Sequence, residues 1–319
     1  MIVVAGEALI DLVPSPQEPS PQGQLPALLP RRGGGPYNTA IALGRLGSPT
    51  AFCSRVSADA FGESLLNGLR GSGVDTSLVQ RGPEPTTLAV ADIGPDGSAG
   101  YGFYVDGTAD RLFTLPPALP ETVRALSLGT CSLVLEPGAS AYEALLQREA
   151  RRGVFTALDP NVRPGLILDP DAYRARFRSW LPHLCLLKLS QEDALWLAGA
   201  GPDAGRGAVT AAAREWLGAG PAAIVITRGG AGLTVLTQGG GELTVPGERV
   251  AVVDTIGAGD TVNAALLHRL AAHGALAYGP LAHLPADTWE DVLRFAARAA
   301  AITCSRAGAE PPFAAELAA

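Results

Sequence analysis

The sequence predicts an α/β fold in which a doubly wound, mostly parallel sheet is flanked by helices on both faces. Short apolar runs alternate with longer segments whose apolar residues recur at helical spacing. This alternation is typical of βαβ units, because parallel neighbouring strands must be joined by a crossover. The 319 residues and the 47% hydrophobic content suit one large domain with a smaller appendage.

The strands predicted for the large sheet are short apolar runs, each followed by polar or glycine residues. They are Ile2–Ala5, 133–135, 155–158, 184–189, Ala223–Thr227 and 250–253. The runs 233–236 and 243–245 flank a glycine-rich turn and predict a hairpin. Ligands of open α/β sheets bind beyond the carboxyl ends of the strands, so the residues that follow these runs are the functional candidates.

Helices are predicted where apolar residues follow a 3.6-residue period. The segments are 37–46, 142–150, 191–198, 208–217, 261–272 and 289–304.

Two segments break the alternation and predict a small β lid at 13–30 and 86–110. The first is rich in Pro and Gln, and the second holds strands 87–93 and 101–105 around a Gly-Pro-Asp-Gly turn. Residues 1–12, 31–85 and 111–319 then form the large domain.

Charge and composition exclude several classes of protein. The formal charge of −7 gives no general attraction to nucleic acid or anionic membranes. The chain has no apolar run of the roughly 18 residues that span a bilayer. Its first twelve residues carry Glu7 and Asp11 but no basic residue, unlike a secretory signal. Reduced thiols in a cytoplasmic protein are expected, because the cysteines stand singly, at Cys53, Cys131, Cys185 and Cys304.

The strongest motif is the segment from Asp254 to Asp260, which follows an apolar run and precedes a helix. Gly257 and Gly259 allow the backbone to approach a ligand, and the free N–H groups of a helix start favour an anion. Asp260 fits such a site if it takes a proton from a hydroxyl while the amides of Gly257, Ala258 and Gly259 hold a phosphoryl group. The alternative is an ordinary first-turn acid that complements the helix dipole.

A second motif, Gly33-Gly34-Gly35-Pro36-Tyr37-Asn38, opens the first predicted helix. Its glycines let the backbone contact a small polar ligand, and Asn38 offers both a donor and an acceptor to hydroxyl groups. The alternative is a flexible linker.

Together the two motifs resemble the signatures of ribokinase-like (PfkB-type) sugar kinases across essentially the whole chain. The opening segment 6–14, the pair Ala109-Asp110 and the segment 159–164 are most similar to bacterial fructokinases. The resemblance implies a ribokinase-like α/β domain with a β lid. It also implies transfer of the γ-phosphoryl group of ATP to the hydroxymethyl group of a small sugar, for which fructose is the first candidate.

The resemblance also implies roles for individual residues. Asp260 is the expected catalytic base, and the amides of residues 257–259 are the expected anion hole. The residues expected to contact the sugar or the transferred phosphate are Asp11, Gly34, Gly35, Asn38, Asn161 and Arg163.

Nucleotide contacts are implied at two further segments. Residues 227–232 resemble the family's Thr-x-Gly-x-x-Gly loop, which places Thr227, Gly229 and Gly232 near nucleotide phosphate together with Gly257 and Gly259. The alternative for 227–232 is a tight turn between two strands.

Residues 188–193 stand where the family has Asn-x-x-Glu. This implies nucleotide contacts by Lys188 and Ser190, and water-mediated Mg²⁺ contacts by Asp193 and Glu192. The alternative is a helix capped by Ser190, and both roles are compatible.

A monovalent cation such as K⁺ is implied beside the anion hole, held by Asp254, the Ile256 carbonyl and the turn 303–308. The expected partners are a small sugar and ATP, and an exposed lid hairpin allows a homodimer through its edge strand.

Other functions stay open at the level of sequence. Within the class they are kinases for ribose, 2-keto-3-deoxygluconate or a nucleoside. A non-catalytic sugar- or nucleotide-binding protein on the same fold is disfavoured by Asp260, because an acid gains nothing at a pure anion site. A nicotinamide dehydrogenase is disfavoured because Gly6-Glu7-Ala8 replaces a G-x-G-x-x-G after the first strand. A P-loop kinase is disfavoured because the chain lacks the P-loop motif, and its single lysine, Lys188, follows no glycine-rich loop.

Overall fold

Thirteen strands and ten α-helices occupy the ranges that the computed structural model describes, which are residues 1–15, 25–93 and 99–318. The strands are β1 (Ile2–Ala5), β2 (Leu9–Pro14), β3 (Leu28–Gly33), β4 (Thr50–Ser57), β5 (Val79–Gly82), β6 (Leu88–Ile93), β7 (Ala99–Tyr104), β8 (Ala125–Gly129), β9 (Phe155–Asp159), β10 (Leu186–Ser190), β11 (Ala223–Thr227), β12 (Leu233–Thr237) and β13 (Glu242–Val245). The helices are α1 (Gly35–Arg45), α2 (Ala60–Gly71), α3 (Gly138–Arg151), α4 (Pro170–Trp180), α5 (Gln191–Leu197), α6 (Gly205–Ala219), α7 (Ala258–Ala272), α8 (Tyr278–Ala282), α9 (Ala286–Cys304) and α10 (Ala314–Leu317).

The large sheet has nine strands in the order β13-β12-β11-β10-β9-β8-β1-β4-β5. All neighbours from β11 to β5 are parallel, and at one edge β12 pairs antiparallel with both β11 and β13. The carboxyl ends of β1, β8, β9 and β10 therefore meet at one edge of the sheet. This confirms the predicted doubly wound, mostly parallel sheet.

Both faces of this sheet are buried, which explains its continuous apolar strands. Val4 of β1 packs in a core formed with α1, α2, α7 and α9. Val3 points to the opposite core, formed with α3, α4, α5 and α6. The six predicted helices are confirmed, and α7 is buried on all sides from Asp260 to Leu267.

The smaller sheet has the order β3-β2-β6-β7, with β6 and β7 antiparallel as predicted. The predicted turn between them, residues 94–97, lies outside the described residues. The predicted lid bounds are too narrow, because β2 begins at Leu9 and pairs with Gly33 at the end of β3. Residues 9–12 and 31–33, assigned to the large domain, therefore lie in strands of the small sheet. Local sequence does not reveal this pairing, since β2 and β3 are antiparallel partners across a segment without periodicity.

Two predicted strands are wrong. Residues 133–135 begin on the last residue of a 3₁₀ helix, Thr130–Leu133, and the true strand is β8 just before it. Leu133 is buried all the same, because an apolar run fits a buried helical turn as well as a strand. Residues 250–253 form no strand, and Val252 and Val253 are 64% and 62% exposed.

The hairpin at 233–245 is confirmed by the antiparallel β12 and β13. The sequence analysis missed β4, β5, α2 and α4. No helix in the described ranges is both long and apolar enough to cross a bilayer. The four cysteines are free thiols, as predicted, and three of them are buried.

Candidate active site

A cleft of about 480 Å³ opens at the carboxyl edge of the large sheet, where α1 and α7 begin. It brings together both predicted motifs, which lie more than two hundred residues apart in the chain. Its lining includes the predicted residues Asp11, Gly34, Gly35, Asn38, Asn161, Arg163, Asp254, Ile256, Gly257, Gly259 and Asp260. A larger cleft of about 630 Å³ lies between β3, α1 and α2, but it shares only Asn38 with the first. The chemistry-bearing residues favour the smaller cleft.

Asp260 lies in the first turn of α7 and is 7% exposed. Its Oδ2 accepts a 2.9 Å hydrogen bond from Nδ2 of Asn38. Burial raises the pKa of Asp260 to about 7, the Asn38 bond opposes this, and the nearby Asp159 adds to it. The predicted sugar ligand Asn38 therefore also holds the predicted base.

The turn that leads into α7 requires glycine. Gly257 has a φ of 76°, and a Cβ there would lie 2.6 Å from Cβ of Ala309. Within the described residues, the N–H groups of Gly257 and Gly259 have no partner. The third predicted amide differs, because Ala258 N donates to the Thr255 carbonyl at 3.2 Å. Two unpartnered amides therefore face the cleft at the positive end of a helix dipole.

Lys188 lies directly behind this turn. Its Nζ donates to Oδ2 of Asp159 at 2.7 Å, and both side chains are buried. A Cβ on Gly259 would lie 3.1 Å from that Nζ, so the ammonium group is close to the unpartnered amides. Burial raises the pKa of Asp159, and the Lys188 ammonium partly offsets the rise. Lys188 does not line the cleft, and its predicted nucleotide contact stays a prediction.

Asn161 and Arg163 follow β9 and line the same cleft. Nη1 of Arg163 donates to Oδ1 of Asn161 at 2.8 Å, which fixes the orientation of the guanidinium group. Asn161 has a φ of 37°, a strained backbone of the kind found at functional sites. Burial raises the pKa of Asp11 to about 6, and the Arg163 charge lowers it. The three predicted residues therefore share one electrostatic environment.

Two residues of the site were missed at the level of sequence. Thr130 has a φ of 61°, and its Oγ1 accepts a 3.4 Å hydrogen bond from Nδ2 of Asn161. Nothing in the sequence marks it except its place after a glycine. Glu7 is 1% exposed and lines the cleft, and its position directly after β1 is a signal that the sequence did offer.

The segment 227–232 is a tight turn between β11 and β12, which confirms the structural alternative. It contains a 3₁₀ turn, Gly229–Ala231. Gly232 has a φ of 93°, and a Cβ there would lie 2.0 Å from the Val245 carbonyl oxygen. Thr227, Gly229 and Gly232 do not line the cleft, so their contact with nucleotide stays a prediction.

Ser190 caps α5, as the alternative for that segment states. Its Oγ accepts from Asp193 N at 3.0 Å, and Oδ2 of Asp193 accepts from Ser190 N at 3.2 Å. Oδ1 of Asp193 accepts from Val162 N at 2.9 Å, so both carboxylate oxygens are already engaged. Glu192 is exposed. In the parts of the chain that are described, no three His, Cys, Asp or Glu side chains converge to hold a metal. Water-mediated Mg²⁺ contacts of Asp193 and Glu192 therefore stay a prediction.

Asp254 joins the turn before α7 to the turn after α9. Its Oδ1 accepts from Ile256 N at 3.0 Å, and its Oδ2 accepts from Gly308 N at 2.8 Å. Asp254 and Ile256 are thus adjacent to the 303–308 turn, as predicted. A monovalent cation at this place stays a prediction.

The arrangement can move a proton and steady an anion at one point. A buried carboxylate with a pKa near 7 lies one residue from an unpartnered amide, and an arginine lines the same cleft. These are the components that transfer of a phosphoryl group to an alcohol requires.

Comparison with known proteins agrees with this chemistry. The family model described as pfkB family carbohydrate kinase matches residues 1–315. A fructokinase of Rhizobium leguminosarum bv. trifolii is 42% identical over 272 residues, which are 85% of this chain and 79% of that protein.

Solved structures show the same fold over nearly the whole chain. A fructokinase from Xylella fastidiosa with bound ATP has a TM-score of 0.87 at 25% identity, covering 99% of this chain and 96% of that one. A fructokinase double mutant from Vibrio cholerae O395, with fructose, ADP and a potassium ion bound, has a TM-score of 0.82 at 25% identity with the same coverage.

Proposed function

The chain belongs to the pfkB family of carbohydrate kinases, and from that premise we propose that this sugar phosphotransferase phosphorylates the hydroxymethyl group of fructose with ATP. The relative that is 42% identical is named a fructokinase, and fructokinase structures superpose on nearly the whole chain. The observation that carries the chemistry is the buried Asp260 carboxylate beside the unpartnered amides of Gly257 and Gly259.

Asp260 acts as the general base in this proposal. Asn38 donates to Oδ2 of Asp260. The other carboxylate oxygen, Oδ1, lies 3.3 Å from the position that a Cβ on Gly35 would occupy. A sugar hydroxyl against Gly35 would therefore meet Oδ1. A pKa of about 7 suits a base at neutral pH, because it is deprotonated in part and still basic enough to accept the proton.

The amides at the start of α7 act as the anion hole for the migrating phosphoryl group. They point to a fixed place and need no reorganisation when charge develops. Arg163 lines the same cleft and supplies a guanidinium fork that matches phosphate oxygens. The sugar lies in this cleft, contacted by Asp11, Gly34, Gly35, Asn38 and Asn161.

The family implies a divalent metal with ATP, and we propose Mg²⁺, which would neutralise phosphate charge. The chain offers it little direct coordination, because both oxygens of Asp193 accept main-chain N–H bonds. Mg²⁺ retains several waters and binds substrate phosphates readily, so Asp193 and Glu192 would act on its waters. Asp254 and the Ile256 carbonyl would hold K⁺.

We further propose a homodimer formed through the small sheet. Among the described strands, β7 is the edge strand on one side of that sheet, and an open edge can pair with a second copy. The four free thiols suit a reducing compartment, so the cytoplasm is the proposed location.

The test of the proposed acceptor is an assay of ADP release with fructose, ribose, 2-keto-3-deoxygluconate, adenosine and tagatose. Fructose should give the highest kcat/KM. The Asp260→Asn variant, which lacks the proposed base, gives the background rate of ADP release. A tenfold higher kcat/KM with another acceptor would replace fructose as the substrate and leave the kinase assignment intact.

A further inference from the structure

Glu7 is a buried carboxylate that binds two separate segments of the site. Its Oε1 accepts from Gly35 N at 3.2 Å, at the start of α1. Its Oε2 accepts from Ser132 N at 3.0 Å, in the turn after β8. One side chain thus joins the ends of β1 and β8 to the first turn of α1.

Each segment that Glu7 holds carries a polar contact of the site. The α1 segment carries Asn38, which donates to Asp260. The turn after β8 carries Thr130, which accepts from Asn161, the residue that orients Arg163. The two contacts meet at Gly35, where a Cβ would lie 2.4 Å from Oγ1 of Thr130 and 3.3 Å from both Nδ2 of Asn161 and Oδ1 of Asp260. Glu7 holds both of the segments that carry these contacts.

The packing around Glu7 leaves no space for an independent shift of either segment. A Cβ on Gly34 would lie 2.8 Å from the Glu7 carbonyl oxygen, and one on Gly35 would lie 2.4 Å from Oγ1 of Thr130. A Cβ on Gly6 would lie 2.3 Å from Cγ of Pro36. Gly34 meets main chain, and Gly35 and Gly6 meet the buried side chains of Thr130 and Pro36, so a displacement at Glu7 disturbs both segments.

No arginine or lysine pairs with Glu7 among the described residues. The main-chain N–H groups of Gly35 and Ser132 donate to its carboxylate, and burial raises its pKa to about 7. A buried N–H without an acceptor is costly. Both carboxylate oxygens of Glu7 are therefore required, because each accepts a hydrogen bond from one N–H group. A carboxamide has only one acceptor oxygen, so glutamine would keep the size but lose one of the two bonds.

We propose that Glu7 is a positioning residue for phosphoryl transfer, which holds the segments that carry Asn38–Asp260 and Thr130–Asn161–Arg163 in their working arrangement. It touches no reacting atom in this role. The inference rests on the proposed function, because it concerns the same cleft and the same acceptor sugar.

The test is a double-mutant cycle between Glu7→Gln and Asn38→Ala, read as kcat/KM for fructose and for ATP. Glu7→Gln should lower kcat/KM for fructose at least tenfold, because the proposed sugar contacts Gly35, Asn38 and Asn161 depend on the two segments that Glu7 holds. The KM for ATP should change less than twofold, since the predicted nucleotide contacts lie on β10, β11, the turn after β11 and the start of α7. In the Asn38→Ala background the same substitution should lower kcat/KM at most threefold, since the α1 segment has then lost its contact with Asp260.

Glu149→Gln is the matched control, because Glu149 is also fully buried but lies on α3, paired with Arg148 and Arg152. It should lower the melting temperature and leave both kinetic constants within twofold. A Glu7→Gln enzyme with kcat/KM for fructose within twofold of wild type would overturn the proposal. So would losses that simply multiply in the double mutant.

If Glu7→Gln does not fold, Glu7→Asp replaces it in the cycle, because it keeps the charge and shortens the reach to the two N–H groups. Wild-type enzyme without turnover of fructose would contradict the proposed substrate alone. The cycle is then run with the acceptor that the wild type does phosphorylate, and the same criteria decide the role of Glu7.

Discussion

Nδ2 of Asn38 donates a hydrogen bond of 2.9 Å to Oδ2 of Asp260, across 222 positions of sequence. The bond joins the first turns of α1 and α7, which pack against each other over the sheet. Because an amide N–H can only donate, it holds Oδ2 as an acceptor and leaves Oδ1 for a proton. The residue that carries the proposed chemistry is thus oriented by the other motif.

Asp260→Asn should lower kcat about 10²–10⁴-fold, the usual contribution of a general base. Fructose and ATP should bind nearly as tightly as in the wild type, because the amide keeps the size of the side chain. Steady-state kinetics and calorimetric titration measure the two effects. Asp171→Asn, at a 95% exposed side chain, is the control. Near-normal kcat in Asp260→Asn would reject the base assignment.

The rate of the wild type should depend on pH through Asp260. Its pKa is about 7 in the folded protein, and only the deprotonated form accepts a proton. The value of kcat/KM for fructose should rise about tenfold per pH unit below that value and become constant above it. A profile flat from pH 5 to pH 8 would show that no group with this pKa controls the reaction.

The stability of the wild type should fall with pH relative to Asp260→Asn. The folded pKa of about 7 lies above the ordinary value of 3.8, so the folded state binds the proton more tightly than the unfolded state. The stability that the bound proton gives the folded state is fully present below about pH 4 and is lost as the pH rises to about 7. The difference in free energy of unfolding between the two proteins should change over this window. Urea denaturation at several pH values measures it, and a constant difference would contradict the raised pKa.

Lys188→Met should destabilise the protein by about 3–5 kcal/mol, because Asp159 would remain buried without its cation. Adding Asp159→Leu to that variant should recover most of the loss, since no buried charge is then left unpaired. Arg294→Met is the control, because its pair with Glu290 is exposed and should contribute less than about 1 kcal/mol. A double variant as unstable as Lys188→Met alone would contradict this account of the pair.

Gly257→Ala should be far more harmful than Gly274→Ala. The two glycines flank α7 and both have positive φ, so each substitution costs about 1–2 kcal/mol of backbone strain. A Cβ at Gly274 meets nothing within 4 Å, whereas one at Gly257 meets Ala309. Only Gly257→Ala should therefore move the amides, with a loss of kcat of about 10²-fold or more. Equal kcat in the two variants would exclude Gly257 from the anion hole.

Much of the site follows from local chemistry. Gly257, Gly259 and Asp260 stand in one short segment before a helix, so their geometry follows from the rules of helix starts. Asn161 and Arg163 follow a buried strand, and the parallel sheet carries them to the same edge. The strand predicted at 250–253 is wrong because an apolar run does not by itself indicate burial, and Val252 and Val253 are exposed.

The sequence by itself determined the class of fold, the two motifs and the residue types that phosphoryl transfer needs, because periodicity and helix-start chemistry act over a few residues. Only the tertiary structure decided that Asn38 binds Asp260, that Glu7 joins Gly35 to Ser132, and that Lys188 pairs with Asp159. Those contacts join residues that the packing of the sheet brings together, and their burial sets the charge state of each carboxylate. Neither the proximity of these residues nor their burial can be predicted from any single segment of the sequence.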